Sequence, residues 1–396
     1  MSLVPFQTVT VGELAPAGGS KPGGRPSLPA GLDAAIRDLD RVCQMQGGAI
    51  ELEFRTAPTF AAALPTWGER HQVVFLPDHD QGCGRDREVV RLGALGIRSQ
   101  RHVWLNGEPR RVAYFHHLRI HPRWRGGTTL ARGFRAFRRE AEREPVAATF
   151  TAILSGNQTA RALLENQDGR GPLPRYLPLC SYQTVLFPLR GPNARWPRRA
   201  RPSPRVADLE IRALTPADRP ALDELWAAGA AWHDGLPVLA SGPEPLPDLP
   251  VTGFLGAWRA GRLVAAFALW DQSPVKPIRL AGGEGWWGHL WRLGRAVLGL
   301  PAPDQDIPYR LLDPWTARPG ETRAVVALLD AALAQARGQG AVFAAWGVPA
   351  AHPMARVRQR FFHLPYASQI YQVVWPDETP FAVSPGHQFW LSLGML

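Results

Sequence analysis

Apolar and polar residues follow two periods along this chain, a period of two that predicts β-strands and one near 3.6 that predicts α-helices. In the first half, Asn106-Gly107 predicts a two-residue hairpin turn, because both positions favour positive φ. The elements predicted here are a helix over 32–45, strands over 49–54 and 72–76, a strand ending at 105, a strand over 111–120, a helix from about 130, a strand over 146–154, a short helix from 157 and a strand over 182–187.

The second half predicts a similar order of elements. They are a strand over 208–215, a helix over 216–231, a hairpin of strands 254–258 and 263–270, a strand over 309–313, a helix over 320–337, a strand over 341–346, a short helix over 354–361 and a strand over 369–375. Strands that alternate with helices predict the α/β class, here as two tandem domains. We expect each domain to hold a mixed, mostly antiparallel sheet flanked by helices.

A basic segment separates the two halves. Residues 190–205 hold six arginines, four prolines and no acidic residue, so they cannot bury apolar surface and are typical of an extended linker. We therefore predict domains over 1–190 and 208–396, joined by a linker over 191–207. A phosphate-binding arm is the alternative interpretation of the same segment.

Composition bears on three properties of the protein: nucleic-acid binding, membrane insertion and cellular compartment. The chain has 396 residues and a formal net charge of +11, and only Lys21 and Lys276 are lysines among its 45 basic residues. This bias towards arginine leaves the charge as weak support for nucleic-acid binding, which we do not expect. The absence of a long apolar run argues against a transmembrane segment, and the N-terminal sequence lacks the pattern of a secretory signal. Three distant cysteines favour a reducing compartment, so we expect a cytoplasmic protein.

The segment 112–137 carries the strongest chemical signal. An apolar strand runs into Pro122, a basic and glycine-rich turn, and then an amphipathic helix. Free backbone amides of Arg125, Gly126, Gly127 and Thr128 would lie at the helix N-terminus, where the helix dipole also favours an anion. This arrangement suits a pyrophosphate.

This segment resembles the acetyl-CoA site of the GNAT superfamily of N-acetyltransferases. The family signature is a strand ending V-x-P, followed by R/Q-x-x-G-x-G/A at the start of a helix. Here Ile120-His121-Pro122 fits the strand end, and Arg125-Gly126-Gly127-Thr128-Thr129-Leu130 occupies the loop. In addition, NQTARALL at 157–164 resembles the N-x-x-A-x-x-L/F-Y helix of the family. These motifs cover roughly residues 100 to 170, and the element order extends the resemblance to the first half.

The resemblance implies two tandem GNAT-like domains and an acyltransferase that moves an acetyl or other acyl group from acyl-CoA to a small-molecule or peptide amine. A homodimer would be compatible with it. The implied cofactor contacts come from the strand, the basic turn and the following helix: Leu118, Arg119, Ile120, Arg123, Arg125, Gly126, Gly127, Thr128 and Asn157.

The candidate general base is a histidine on the strand before the turn. An ammonium acceptor must lose a proton before it attacks a thioester, and His116 and His117 titrate in the useful range. Because adjacent strand residues point to opposite faces, at most one of them should face the substrate, and we favour His116. Ordered water is the alternative base. We predict no metal site, since His117 and His121 would be about 13 Å apart along a strand.

Three departures from the family pattern keep other functions open. Thr128 and Leu130 replace small residues of the loop, and Leu164 stands where a tyrosine often protonates the departing thiolate. A protein that binds or senses acyl-CoA without catalysis is therefore one alternative. A tRNA-linked aminoacyl transferase, suggested by the basic linker, is a weaker one.

The second half has Glu321 near a helix start in place of an anion loop, so we expect a degenerate domain that shapes the acceptor cleft. Its insertion over 272–306 predicts an amphipathic helix from Trp286 to Leu300.

Overall fold

A computed structural model describes residues 4–13, 26–43, 52–78, 91–165, 173–190, 208–280, 301–302 and 305–396. The predicted linker and the amphipathic helix predicted within the insertion lie outside these residues. The described helices are α1 Ala30–Val42, α2 Phe60–Trp67, α3 Thr129–Arg143, α4 Gln158–Glu165, α5 Arg219–Ala230 and α6 Thr322–Gly338. None of them is long and apolar enough to cross a bilayer.

The strands follow the predicted order in both halves, which confirms the α/β class. They are β1 Gln7–Gly12, β2 Leu52–Phe54, β3 Arg70–Pro77, β4 Leu92–Leu105, β5 Glu108–Ile120, β6 Ala148–Leu154, β7 Arg175–Pro188, β8 Leu209–Ala213, β9 His233–Asp234, β10 Phe254–Arg259, β11 Arg262–Ala268, β12 Ile278–Leu280, β13 Tyr309–Leu311, β14 Trp315–Ala317, β15 Phe343–Pro349, β16 Leu364–Val374 and β17 Gln388–Phe389. The hairpin at Asn106-Gly107 is confirmed, with φ of 50° and 78° at its two residues.

Helix α2 was not predicted, because Pro65 interrupts its sequence pattern. Its N-terminus is held by two side chains. The Thr59 hydroxyl accepts a hydrogen bond from the Ala62 amide, and the buried Asp33 carboxylate of α1 accepts from the Phe60 and Ala61 amides at 3.1 and 3.0 Å. These bonds satisfy orphan amides of the first turn, so the short helix forms despite its proline.

Most strands belong to one large sheet. Its nine strands lie in the order β1-β3-β4-β5-β6-β16-β7-β15-β13, and a second sheet has the order β14-β11-β10-β8. Within these two sheets, all neighbouring strands are antiparallel except two pairs, β5 with β6 and β13 with β15. Mostly antiparallel sheets flanked by helices are therefore confirmed.

The two halves of the chain exchange one long strand each, β7 and β16. Strand β16 of the second half lies between β6 and β7 of the first, and β7 in turn lies between β16 and β15 of the second. Backbone pairs such as Thr151 with Tyr371 and Val185 with Trp346 fix the register on each side. Each half thus completes the sheet of the other, and the large sheet is continuous through both.

This exchange predicts that cutting the predicted linker leaves the protein assembled. We expect a chain with a protease site introduced within 191–207 to elute as one species after cleavage, with a nearly unchanged melting temperature. The reason is that the hydrogen bonds of β7 and β16 and the core around them do not depend on the covalent connection. Size-exclusion chromatography with gel analysis checks this; two separately eluting fragments in native buffer would contradict it.

Strand β5 is buried on both faces, which sets the position of the candidate site. On one face Tyr114 packs in the core that contains Ile36 of α1 and Leu64 of α2. On the other face Phe115 packs in the core that contains Phe134 of α3. The end of β5 therefore lies in a layered interior, with α1 and α2 on one side and α3 and α4 on the other.

Candidate active site

Strands β5 and β6 separate at the point where a thioester arm would have to enter. Parallel pairing joins them only from Val112 with Ala148 to Tyr114 with Phe150. One residue further on, the Thr151 hydroxyl donates to the Phe115 carbonyl oxygen at 2.8 Å. Strand β6 continues along β16 on its other edge, from Phe150 to Leu154, while residues 116–120 have no ladder partner on the side of β6 among the described residues. The end of β5 thus has a free edge, which is unusual inside a sheet.

The turn that follows β5 is open. Gly126 and Gly127 have φ of 84° and 55°, and a Cβ atom at either position would meet no other atom within 4 Å. Both are exposed, and α3 begins two residues later, with no acidic residue in its first turn and no side-chain cap from Thr128. The Arg125 amide, which was predicted to be free, donates to the Pro122 carbonyl oxygen at 3.3 Å. The amides of Gly126, Gly127 and Thr128 make no such backbone bond among the described residues, so free amides, the helix dipole and space for a ligand coincide there.

The two predicted basic residues of the turn remain near it. The Arg125 Nε atom donates to the Ile120 carbonyl oxygen at 3.3 Å, and the side chain is exposed. Arg123 lies 4.0 Å from the Asp78 carboxylate, with its side chain 56% exposed. Both guanidinium groups can add positive charge to the mouth of the turn.

Two predicted positions lie at helix α4: Asn157 at its N-terminus and Leu164 near its end. The Asn157 side-chain oxygen accepts a hydrogen bond from the Ala160 amide at 3.1 Å, so Asn157 caps α4. Leu164, at the position of the family tyrosine, is 7% exposed and packs in the core with Tyr176 and Tyr371. The Tyr371 hydroxyl donates to the Glu165 carboxylate.

The expectation that His116 and His117 face opposite sides of the sheet is wrong. The pairing of β4 with β5 shifts register at this point, and His117 has φ of 51°, which marks a β-bulge. The bulge turns both imidazoles to the same side, where their Nδ1 atoms lie 2.7 Å apart. Both rings also contact Trp67 of α2, with centroids 4.7 and 4.9 Å away.

Behind the two histidines runs a buried chain of hydrogen bonds. The Ser99 hydroxyl lies 2.6 Å from Nε2 of His116 and 2.7 Å from Nδ1 of His71. These side chains share a face because His71 pairs with Ser99 across β3 and β4. A chain of this kind can pass a proton by reversing the direction of each bond.

The end of this hydrogen-bond chain at His117 lies beside two groups of opposite charge, Asp40 and Arg119. Nε2 of His117 lies 3.8 Å from the Asp40 carboxylate of α1, and Nε of Arg119 lies 3.4 Å from the same carboxylate. The side chains of these three residues are 16 to 19% exposed, whereas His116 is 9% exposed as a whole residue. His117 is therefore the histidine nearer to solvent.

Burial determines the protonation of this cluster. It lowers the pKa of His71 to about 3 and holds the pKa of His116 and of His117 well below the usual value, with neighbouring positive groups acting in the same direction. Burial also raises the pKa of Asp40 to about 6, against the opposing effect of Arg119. The imidazoles are consequently uncharged at neutral pH and can accept protons.

These shifts predict a steep loss of stability in mild acid. Among the described residues, five buried histidines have lowered pKa values and two buried aspartates have values raised to about 6; they are His71, His116, His117, His233 and His352, with Asp40 and Asp313. Between about pH 4.5 and 6 unfolding lets the histidines bind protons, while the aspartates release theirs.

Because the histidines outnumber the aspartates, unfolding takes up protons overall, and the free energy of unfolding falls as the pH is lowered through that range, by about 1.4 kcal/mol per pH unit for each net proton. Urea unfolding at about pH 6.0, 5.5 and 5.0 measures this slope. His352→Gln should reduce the slope by about one proton, because it removes one of the five groups. An equal free energy of unfolding at all three pH values would show that the histidines are not held neutral.

Sequence reasoning missed Asp40, Trp67, Ser99 and His71. Trp67 belongs to the unpredicted helix α2, and Asp40 is one of several charged residues on α1. Counting back from the Asn106-Gly107 turn would have paired Ser99 with Tyr114, which lies on the same face of the strand as His116. The register of this hairpin could therefore have indicated that Ser99 lies near His116.

The second half has no comparable opening among its described residues. Strand β13 pairs with β15 in parallel, but Trp315 of the following strand donates from Nε1 to the Gly347 carbonyl oxygen of β15 at 3.0 Å. Glu321, just before α6, pairs with Arg259 at 3.0 Å. A carboxylate therefore occupies the position where the first half has a free turn.

The described residues contain no group of three or more His, Cys, Asp or Glu side chains that could hold a metal ion. No protein-family profile matches the chain, and a search of curated proteins finds no match.

Several solved structures resemble this protein in fold at low sequence identity. The N-myristoyltransferase of Saccharomyces cerevisiae with bound myristoyl-CoA superposes with a TM-score of 0.54 at 12% identity, over 94% of this chain and 79% of that one. A structure of the same enzyme with myristoyl-CoA and inhibitors gives 0.50 at 11% identity, over 94% and 81%. A GCN5-related N-acetyltransferase from Sphaerobacter thermophilus is 14% identical over 95% and 98%, with a TM-score of 0.49. The chain therefore shares its fold with these N-myristoyltransferase structures.

Proposed function

We propose that this protein is an N-acyltransferase that moves an acyl group from acyl-CoA to an amine. The observation that carries the proposal is the open turn at Gly126-Gly127, which lies at the start of α3 and directly after the free edge of β5. A diphosphate at the turn and an extended thioester arm along the strand edge would use both features together. The fold shared with acyl-CoA-bound enzymes supports the same conclusion.

We infer that His117 accepts the proton of the attacking amine. It is uncharged at neutral pH, it is more exposed than His116, and the Asp40 carboxylate beside it would stabilise the imidazolium that forms. His116 does not contact the amine in this assignment; it positions His117 through the hydrogen bond between their Nδ1 atoms. This assignment replaces our sequence preference for His116.

The remaining steps need few further groups. Backbone amides at the bulge would polarise the thioester carbonyl, since residues 116–120 lack ladder partners on the side of β6. The amine attacks the carbonyl carbon, the carbon–sulfur bond breaks, and the thiolate takes a proton from solvent, because Leu164 offers none.

The direct test is a thermal melt of the purified chain with and without CoA. We expect saturating CoA to raise the melting temperature, since a ligand that binds only the folded state stabilises it by about 2.7 kcal/mol at a hundred times its dissociation constant. Release of CoA from acetyl-CoA and longer acyl-CoAs, measured across a panel of amines, then identifies the acyl chain and the acceptor. An unchanged melt would overturn the proposal.

A protein that binds acyl-CoA without catalysis is the second candidate. The buried Leu164 favours it, because a side chain with no proton to give stands where the family often has an acid. Binding of acetyl-CoA with no release of CoA for any amine in the panel would support this function instead.

A further inference from the structure

Lys276 belongs to the second half of the chain, but its side chain lies at the candidate active site. Its Nζ atom is 4.2 Å from the centroid of the Trp67 ring, and that centroid is 4.7 Å from the ring centroid of His116. Since the two distances meet at one point, Nζ lies no more than 8.9 Å from the His116 ring. The second half therefore contributes an amine to the cluster of histidines.

The backbone holds this lysine in place. The Lys276 amide donates to the Gln272 carbonyl oxygen at 2.7 Å, and its carbonyl oxygen accepts from the Tyr309 hydroxyl at 2.8 Å. Its neighbours on both sides bind the first half, where the amides of Arg55 and Ala57 donate to the segment at 3.0 and 3.1 Å. The position of the Lys276 backbone is thus set by the fold.

Lysine is a rare choice for a cation in this protein. Of its 45 basic residues, 43 are arginine, and the only other lysine is Lys21. An arginine cannot lose its proton in a protein, whereas a buried lysine can. A position that needs an uncharged amine would therefore keep lysine where other basic positions have become arginine.

The surroundings of Nζ favour that uncharged form. Burial lowers the pKa of Lys276 well below its usual value, and Arg101 adds to the effect. Trp67 opposes it, because an aromatic face favours an ammonium group, but the loss of solvation has the larger effect. Among the described residues Nζ has one oxygen partner, the Gly394 carbonyl at 3.2 Å, so a neutral amine keeps its lone pair.

We propose that Lys276 is a self-acylation site, which accepts the acyl group of a bound acyl-CoA. This proposal rests on the proposed function, because the thioester must lie at the bulge of β5. The Nζ lone pair attacks the thioester carbonyl carbon, the carbon–sulfur bond breaks, and the nitrogen gives up one proton to the departing thiolate by way of the histidines. The products are an amide on Lys276 and free CoA. Rotation of the flexible lysine side chain closes the remaining distance.

The test follows the site of labelling in the full-length protein. Native protein is incubated with acetyl-CoA, digested and analysed by peptide mass spectrometry, with urea-unfolded protein as the reference for chemical acetylation. We expect Lys276 to gain one acetyl group at least about tenfold faster in the native state than in the unfolded chain, because proximity raises the effective concentration. Lys276→Arg should lose this label, and Lys21→Arg, the matched control, should keep it.

Equal labelling of Lys276 in native and unfolded protein would overturn the proposal, and so would a second result, no labelling at all while CoA still raises the melting temperature. The second result would leave the proposed function intact. If CoA fails to bind, the proposed function and this inference fail together. Unchanged labelling of Lys276 in Gly127→Glu would also contradict it, since the acyl group would then come from solution.

Discussion

Replacing Gly127 by glutamate will abolish the rise in melting temperature that CoA produces. The wild-type residue has φ of 55° and leaves open space where its side chain would be, directly before the free amides of α3. A glutamate fills that space, and its negative charge repels a diphosphate in the place where the helix dipole attracts one. The variant should also lose all CoA-dependent activity. Differential scanning fluorimetry with CoA measures the first effect, and release of CoA from acetyl-CoA measures the second.

Gly261→Glu is the matched control. Gly261 also has positive φ, 75°, and open space around it, but it lies in the hairpin between β10 and β11 of the second half. Both substitutions therefore carry a similar backbone cost and the same change in charge. The control should melt slightly lower than the wild type and respond to CoA in the same way. Retention of the CoA response by Gly127→Glu would mean that the phosphates bind elsewhere.

Replacing His117 by alanine should lower kcat by about 10²- to 10⁴-fold, the usual contribution of a general base. CoA binding should persist, because the turn at Gly126-Gly127 is unaltered. His117 is the more exposed of the two histidines, and its Nε2 atom lies 3.8 Å from the Asp40 carboxylate, so the substitution removes the proposed base. Steady-state rates with the best amine of the panel, together with the CoA melt, separate the two effects.

His363→Ala is the control for this variant, since His363 lies just before β16 and contacts Phe187 rather than the histidine cluster. Its kcat should equal that of the wild type. A general base also implies that raising the pH rescues part of the lost rate, because more of the amine is then uncharged in solution. A full rate for His117→Ala at pH 7 would leave ordered water as the base.

The local parts of the site could be predicted from the sequence. The Asn106-Gly107 turn, the apolar strand before Pro122 and the glycine pair before α3 each depend on residues within a few positions of one another. The same holds for the order of elements, which follows from periodicity in short windows. Such features form from their own residues, so reading the chain in sequence recovers them.

The remaining parts depend on contacts between distant segments. The bulge at His117 arises where β4 and β5 shift register, and nothing near His116 in the sequence indicates it. Trp67 reaches the histidines because Asp33 caps α2 from another helix. The exchange of β7 and β16 pairs residues almost 200 positions apart, such as Tyr176 with Val373, and no local pattern selects that partner.

A crystal structure of the protein with bound CoA tests the central claim most directly. We predict that the diphosphate accepts hydrogen bonds from the backbone amides around Gly126, Gly127 and Thr128, and that the pantetheine arm lies between β5 and β6 with its thiol near His117. A structure in which CoA binds with its diphosphate away from this turn, or with β5 and β6 joined along residues 116–120, would contradict the account.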